Sequence, residues 1–428
     1  MEFDLDARIL TLALARMVDA VANSFLVVVL PLYIERVVDL PDFIGGTISL
    51  GPVEFSLTSA LLIGVVLSLF GFLNSLGQPF TGRLSDRTGK RKVYLLFGLA
   101  LVAIGSAGYI FLTDYVSILL LRALQGVGAA FTVPMTVALV NEYSEEDQRG
   151  GNFGLYNTFR LLGFGTGPIV AGVVLAAGPY RLAGVDVSGF DAAFLVAVVG
   201  AVLSFALVTL LIEDPEQAKA EAGEDLSLAV RDPDGRGLDA VFALGLATAV
   251  MALSIGIFAP LANAINVRLA QGDFLFSVQF GATVLANVVF QLPLGRLSDR
   301  YGRRPFLLGG FVLLLPATLA QGFVTSSTMM VLLRFVQGIA VAAVFAPSLA
   351  LAGDLAKEGQ SGSTLSLLTM GFGLGIALGT LFSGILVGFG FATPFVVATL
   401  GGAAGLVLVY TQVGETVTDA AGIPAAGD

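Results

Sequence analysis

The chain has 428 residues, 56% hydrophobic and only 13% charged, with mean hydropathy +0.89 and a formal net charge of −10. A soluble globular chain carries roughly a quarter charged residues, so the composition excludes one. Histidine and cysteine are both absent, which excludes disulfides, thiolate metal sites and any proton relay through imidazole.

The N-terminus is acidic before Arg8 and leads into an apolar run at 9–31. That run is long enough to cross a bilayer core of about 30 Å, which marks an uncleaved anchor rather than a cleavable signal. Arg16, Asp19 and Asn23 are spaced i, i+3, i+7 within it and share one helix face. Asp19 stands roughly 16 Å along the helix, near the midplane. Of 32 acidic residues it is the one expected deep in a span. A buried charge in lipid costs roughly 2.5–3.5 kcal/mol on insertion scales, so Asp19 should face a cavity or a partner. It reads as a reversible proton carrier, against the plainer reading of a static Arg16–Asp19 ion pair.

A second span at 58–81 carries Asn74 and Gln78 one turn apart, as substrate contacts or as inter-helix hydrogen bonds between halves. Next comes a short basic hairpin, Gly82-Arg-Leu-Ser-Asp86-Arg87-Thr-Gly89-Lys-Arg91. The third span is 93–113. The fourth, 116–140, places Arg122 and Gln125 on one face, as cavity groups or as packing anchors. The fifth, 152–177, holds Arg160, a substrate contact or an ion-pair partner. It also holds Gly163 and Gly167, a small-residue packing seam, followed by Pro168, which invites a kink, and Gly172. The sixth span is 191–212. Residues 213–238 are polar and acidic and read as a linker between halves.

The remaining spans are 239–261, 274–295, 306–325, 328–352, 362–388 and 391–411. They repeat the first set. Gly295, Asp299, Arg300, Gly302 and Arg304 restate the hairpin at an offset of 213, preceded by Asn287 and Gln291 at the same offset. Arg334 and Gln337 match Arg122 and Gln125, and Gly375 and Gly379 match Gly163 and Gly167, at 212. Polar residues recurring at fixed offset inside apolar runs indicate duplication. The expected fold is an all-α membrane protein of twelve transmembrane helices in two pseudo-symmetric six-helix halves, 1–212 and 239–428.

With the N-terminus inside, the inner segments hold 15 of the 22 Lys and Arg residues and the outer loops hold Arg36, Arg181 and Arg268. Both termini are therefore expected to be cytoplasmic. Arg16, Arg122, Arg160 and Arg334 lie inside spans. Spans 3, 6, 9 and 12 carry no ionisable side chain except tyrosine and are expected to be lipid-facing supports.

The two hairpins resemble the motif that the major facilitator superfamily carries between spans 2 and 3 and between spans 8 and 9. Arg122-x-x-Gln125-Gly126 resembles the fourth-span motif of its proton-coupled members. Gly163-x-x-x-Gly167-Pro168-x-x-Ala171-Gly172 resembles the fifth-span antiporter motif, with Ala171 in place of a glycine. Asp19-Ala20 with Leu30-Pro31 resembles the first-span pattern of drug–proton antiporters, although Val28 replaces its midway proline.

The resemblance implies alternating access by two rocking halves. It implies hairpin gates in which Asp86 and Arg87 lock the halves at the cytoplasmic face, and proton coupling through Asp19 and Arg122. The expected activity is proton-coupled efflux, by antiport, of a small hydrophobic compound that is neutral or anionic. Transport of an organic anion or metabolite, by symport or uniport, is the alternative, and a non-transporting receptor or scaffold is a further one. Expected partners are a small-molecule substrate, protons (or else sodium through Asp19 and Asn23) and the lipid bilayer of the plasma membrane. No nucleic acid, cofactor or metal is expected, and the chain is expected to work as a monomer. No Gly-x-x-x-x-Gly-Lys-(Ser/Thr) loop is present for a nucleotide-driven pump, and no carboxylate cluster for an enzyme.

Overall fold

A computed structural model describes residues 6–41, 46–50, 53–144, 149–182, 184–214, 230–231, 237–355 and 361–416. Most of the 213–238 linker lies outside the described residues. Twelve helices among the described residues are long and apolar enough to cross a membrane.

The helices of the first half are α1 (Ala7–Arg36), α2 (Ser59–Thr88), α3 (Arg91–Phe111), α4 (Tyr115–Tyr143), α5 (Arg149–Ala177) and α6 (Gly189–Leu211). Those of the second are α7 (Ala240–Gly256), α8 (Ala262–Leu269), α9 (Asp273–Tyr301), α10 (Arg303–Gln321), α11 (Ser327–Leu355), α12 (Ser361–Leu386) and α13 (Thr393–Gln412). Helix starts are set by side-chain caps that take up orphan N–H groups. Thr58 accepts from Leu61, Asp114 from Ser117, Ser188 from Asp191, and Asp239 from Val241 and Phe242.

Three spans depart from the sequence expectation in ways that matter to the site's surroundings. The second and eighth spans do not stop at 81 and 295 but run on to Thr88 and Tyr301. Most of each basic hairpin is therefore the last two turns of a helix. The chain reverses at Gly89 and Gly302, whose φ values of 68° and 99° suit glycine. The seventh span is not one helix: a 3-10 turn at Ala259–Leu261 separates α7 from α8. Pro260 lacks the N–H that a continuous helix needs there. Two antiparallel hairpins also stand outside the spans, β1 (Thr47–Leu50) with β2 (Val53–Ser56) and β3 (Tyr180–Leu182) with β4 (Val185–Val187).

The chain divides into two compact units. The first is Met1–Glu224 with Ala259–Gly281 and Thr380–Gly388; the second is Asp225–Phe258, Ala282–Gly379 and Phe389–Asp428. In the first unit α1 packs on α5 and α6, α2 on α4, and α3 on α4 and α6. Its apolar core includes Leu12, Ala15, Leu95, Leu99, Met135 and Leu139. In the second, α10 packs on α11 and α13, and α7 on α13 and α11, around Leu244, Met251, Phe311, Leu314, Val344 and Leu368. Phe111 and Leu210 are each 79% exposed, as lipid-facing side chains are.

Candidate functional site

Arg16 and Asp19, one turn apart on α1, form an ion pair with Nη1 and Oδ2 2.5 Å apart. Both are mostly but not fully buried, at 15% and 13% side-chain exposure. A cavity of about 50 Å³ opens beside them. Arg16, Asp19 and Asn23 from α1, Phe70 and Asn74 from α2, Ser106 from α3, and Arg122 and Gln125 from α4 line it. The polar residues of four helices thus converge inside the first unit. A second, smaller cavity touches the other side of the pair, between Ala15, Leu95, Leu99, Thr132, Thr136 and Val208.

Arg122 is buried and donates from Nη1 to Gln125 Oε1 at 3.0 Å, with its guanidinium 4.2 Å from the Phe70 ring. Gln125 accepts as well from Tyr109 OH at 2.9 Å and donates to Ser106 Oγ at 3.0 Å. Tyr33 OH donates to the Tyr109 carbonyl at 3.1 Å. The network fixes Arg122 at the cavity wall, with the ring face and an amide oxygen as its partners instead of a carboxylate. Its Nε is buried without a hydrogen-bond partner. Phe70, Ser106 and Tyr109 escaped the sequence reading. The signal for Tyr109 was a phenol deep within a span whose ionisable groups are tyrosines alone.

Gln78 donates to Asn74 Oδ1 at 3.0 Å, a bond along α2 itself. Asn74 reaches the cavity, whereas Gln78 is not among its lining residues. Arg160 on α5 donates from Nε and Nη2 to Asn157 Oδ1 at 3.1 and 2.9 Å. One turn back, Tyr156 OH shares a 2.9 Å hydrogen bond with Thr136 Oγ1.

The glycines of α5 are spacers. A Cβ on Gly163 would sit 2.2 Å from the Met17 carbonyl oxygen, and one on Gly167 2.0 Å from Ser24 Oγ. The two helices run parallel in this register, so Arg160 lies close to the level of Arg16. Gly172 meets Ser277 in the same way, at 2.6 Å. Pro168 lies inside the uninterrupted α5. The second unit repeats the seam: a Cβ on Gly375 would lie 2.1 Å from the Ala249 carbonyl oxygen, and one on Gly379 2.4 Å from that of Leu253.

Arg334, the image of Arg122, is fully buried in the second unit. It donates to Gln337 Oε1 at 2.6 Å and lies 4.0 Å from the Phe258 ring. Gln337 donates to the Ser254 carbonyl at 3.0 Å and to Thr318 Oγ1 at 3.2 Å, and accepts from Gln321 at 3.2 Å. Asn287 and Gln291 are half-buried on α9, and Gln291 Oε1 is without a partner.

At the hairpins, Arg91 is the hub. Its Nη1 donates to Asp86 Oδ1 at 2.9 Å and its Nε to Glu142 of α4. Arg87 and Arg300 point outward, exposed, and the Arg300 guanidinium lies 5.4 Å from the Tyr301 ring. In the second unit Arg303 plays the part of Arg91, reaching Asp299 at 3.4 Å and Asp354 of α11. Arg304 donates instead to the Tyr410 carbonyl at 2.6 Å. The sequence offset of 213 pairs Arg91 with Arg304, but the second turn is one residue shorter. The 212 offset of Glu142 and Asp354 was the available signal. Asp214 and Glu415, just after the last helix of each half, accept the N–H groups at the starts of α3 and α10.

The end of the first unit opposite its hairpin is closed by polar contacts that the sequence reading also missed. Arg36 at the end of α1 forms a two-armed ion pair with Asp273 of α9, at 2.6 and 2.7 Å. Glu35 accepts from Asn263 of α8 at 2.9 Å and from Ser59 at 3.2 Å.

The description Major Facilitator Superfamily belongs to the family whose model matches residues 12–242 and 240–425 of the chain. The chain is similar to "Multidrug resistance protein MdtG" of Enterobacter lignolyticus, 28% identical over 74% of this chain and 71% of that protein. It is also similar to "Multi-drug resistance efflux pump PmrA homolog" of Lactococcus lactis subsp. lactis, 26% identical over 86% of each. Its fold matches the crystal structure of a "D-xylose-proton symporter" with a TM-score of 0.74 at 15% identity, over 95% of this chain and 98% of that one. The chain belongs to the Major Facilitator Superfamily: it is a multi-pass membrane protein that transports a small molecule and is not an enzyme.

Proposed function

We propose that this transporter exchanges protons for a small, mostly hydrophobic compound, neutral or anionic, and that Asp19 is the proton carrier. The observation that carries the reading is the position of Asp19. It is partly buried, paired with Arg16, and on the wall of a cavity shared with Asn23, Asn74, Arg122 and Gln125. A carboxylate on the wall of a polar cavity is open to proton exchange through that cavity, and an ionisable residue so deep in a span marks a functional site. The similarity to a multidrug resistance protein and a multi-drug resistance efflux pump supports export. We further propose residence in the plasma membrane with both termini cytoplasmic, from the bias of basic residues, and function as a monomer.

A second reading, transport of an organic anion, is favoured by charge: Arg16, Arg122 and Arg160 outnumber Asp19 in the first unit.

Proteoliposomes with an imposed pH gradient test the first reading. Asp19→Asn is expected to abolish gradient-driven accumulation while substrate counterflow persists. Accumulation against the gradient by a folded Asp19→Asn protein contradicts it.

A further inference from the structure

The Arg122 guanidinium is a buried charge whose partners are all neutral. The residue is 2% exposed. A guanidinium carries several N–H donors and no acceptor. One donor goes to the Gln125 amide oxygen at 3.0 Å, and the other polar neighbour is the Tyr109 phenol. The Phe70 ring, its centre 4.2 Å away, adds a quadrupole and no net charge. Arg122 Nε is buried without a hydrogen-bond partner. Asp19, the acid on the same cavity wall, is held by Arg16 instead. A buried cation without a counter-charge is a costly arrangement.

The cavity that Arg122 lines has the complementary chemistry. Asn23 and Asn74 bring side-chain amides to its wall. Asn74 Oδ1 accepts from Gln78 at 3.0 Å, which leaves the Asn74 N–H groups to donate elsewhere, and they donate to no described residue. Ala22, Leu26, Val102 and Ala129 complete an otherwise apolar lining. We infer that this cavity is a binding site for one small monovalent inorganic anion, of the size of chloride, bromide or nitrate, held by Arg122 and the Asn74 amide.

Charge, size and lining set the class of ligand. The Arg16–Asp19 pair is neutral as a unit, so Arg122 leaves the wall with a single positive charge. A monovalent anion cancels it, whereas sulfate would leave a buried excess of negative charge. An apolar cavity that takes up benzene measures about 150 Å³. At about 50 Å³ this one excludes an aromatic or longer organic acid and admits a small ion. Hydrogen-bond donors set among apolar side chains favour an anion that gives up its hydration easily. The ion is a resident counter-ion of the first unit, distinct from the cargo, and it ties Asn74 of α2 to Arg122 of α4. The inference draws on neither the identity of the cargo nor proton transfer by Asp19, so it stands or falls apart from them.

Bromide is the probe. Crystals of the full chain grown in sodium bromide, with diffraction recorded at the bromine absorption edge, should show an anomalous peak within hydrogen-bonding reach of the Arg122 guanidinium and Asn74 Nδ2. Melting temperatures of the detergent-solubilised protein give a second measurement, with gluconate replaced by the test anion at constant ionic strength. A ligand that binds the folded state alone raises the melting temperature with its concentration. Chloride, bromide and nitrate should each do so, and Arg122→Gln should lose that rise entirely. Asn74→Leu should need about tenfold more chloride for the same rise, as for loss of one hydrogen bond to a charged group. Sulfate stabilises by exclusion from the protein surface, so its effect should be the same in Arg122→Gln as in the unaltered protein.

Ordered water in the cavity with no bromine signal there overturns the inference, since water satisfies the donors and brings no charge. Equal chloride-dependent rises in the unaltered protein and in Arg122→Gln overturn it as well. If Arg122→Gln does not fold, the bromide map of the unaltered protein decides.

Discussion

Arginine residues with unlike partners carry this molecule's charge chemistry. Arg16 has a carboxylate, Arg160 an amide, and Arg122 an amide and a ring face. Arg91 joins two acids from two helices while remaining 5% exposed. Removing one partner of a buried pair costs about 3–5 kcal/mol because the other charge is left uncompensated. Arg91→Gln should therefore lower the thermal stability of the detergent-solubilised protein clearly. Arg87→Gln, at an exposed position, should leave it nearly unchanged. Equal losses from the two variants would contradict the assignment of Arg91 as the hub.

Arg122 makes a subtler case. Gln125→Leu removes the amide oxygen that holds its guanidinium, and leaves Tyr109 OH and Ser106 Oγ without their shared partner. The expected result is impaired proton coupling with substrate binding retained, read as a loss of gradient-driven transport relative to counterflow. Unchanged coupling would show that Arg122 needs no positioning.

At the scale of elements, α1 and α5 approach closely. No side chain fits at Gly163 or Gly167 without moving backbone. Overpacking a tight seam costs typically about 1–3 kcal/mol, and a carbonyl oxygen cannot rotate away as a side chain can. Gly167→Val should therefore destabilise the fold far more than Gly151→Val, where a Cβ meets nothing within 4 Å. Comparable melting temperatures for the two would contradict the seam.

The elements were largely legible in the sequence, because twelve apolar runs separated by polar segments leave little freedom in lipid. The hairpins misled through their charge. A run rich in Arg and Asp reads as a loop, yet two further turns of helix project beyond the apolar stretch and end only at Gly89 and Gly302. Pro260 lies close to the end of the 239–261 run and marks the break in the seventh span. The caps and the two β-hairpins rest on local hydrogen bonds, to which an apolar-run reading is blind. In the candidate site, the residues with charge or amide groups were visible as exceptions in apolar runs. Phe70 and Ser106 were not, since neither type is unusual there.

At the scale of the whole molecule, alternating access remains the expectation from the duplicated halves, and the first unit holds a contact proposed to act as one of its gates. Arg36 and Asp273 form a two-armed ion pair, with Asn266 also donating to Asp273 at 2.9 Å. Asp273→Asn should loosen that end and broaden the distances between spin labels at the end of α1 and the start of α9. Asp86→Asn should act at the opposite end, widening distances between labels at the hairpin-side ends of α4 and α11. Unaltered distributions in both variants would contradict a gating role for either contact.

The role proposed for Asp19 is to bind and release a transported proton. Difference infrared spectroscopy of the lipid-reconstituted protein, titrated across neutral pH, observes that proton directly through the carboxylic C=O band. The expected result is a band that grows on acidification, shifts when substrate is added and is missing in Asp19→Asn. A titrating, substrate-sensitive band that survives unchanged in Asp19→Asn would contradict it.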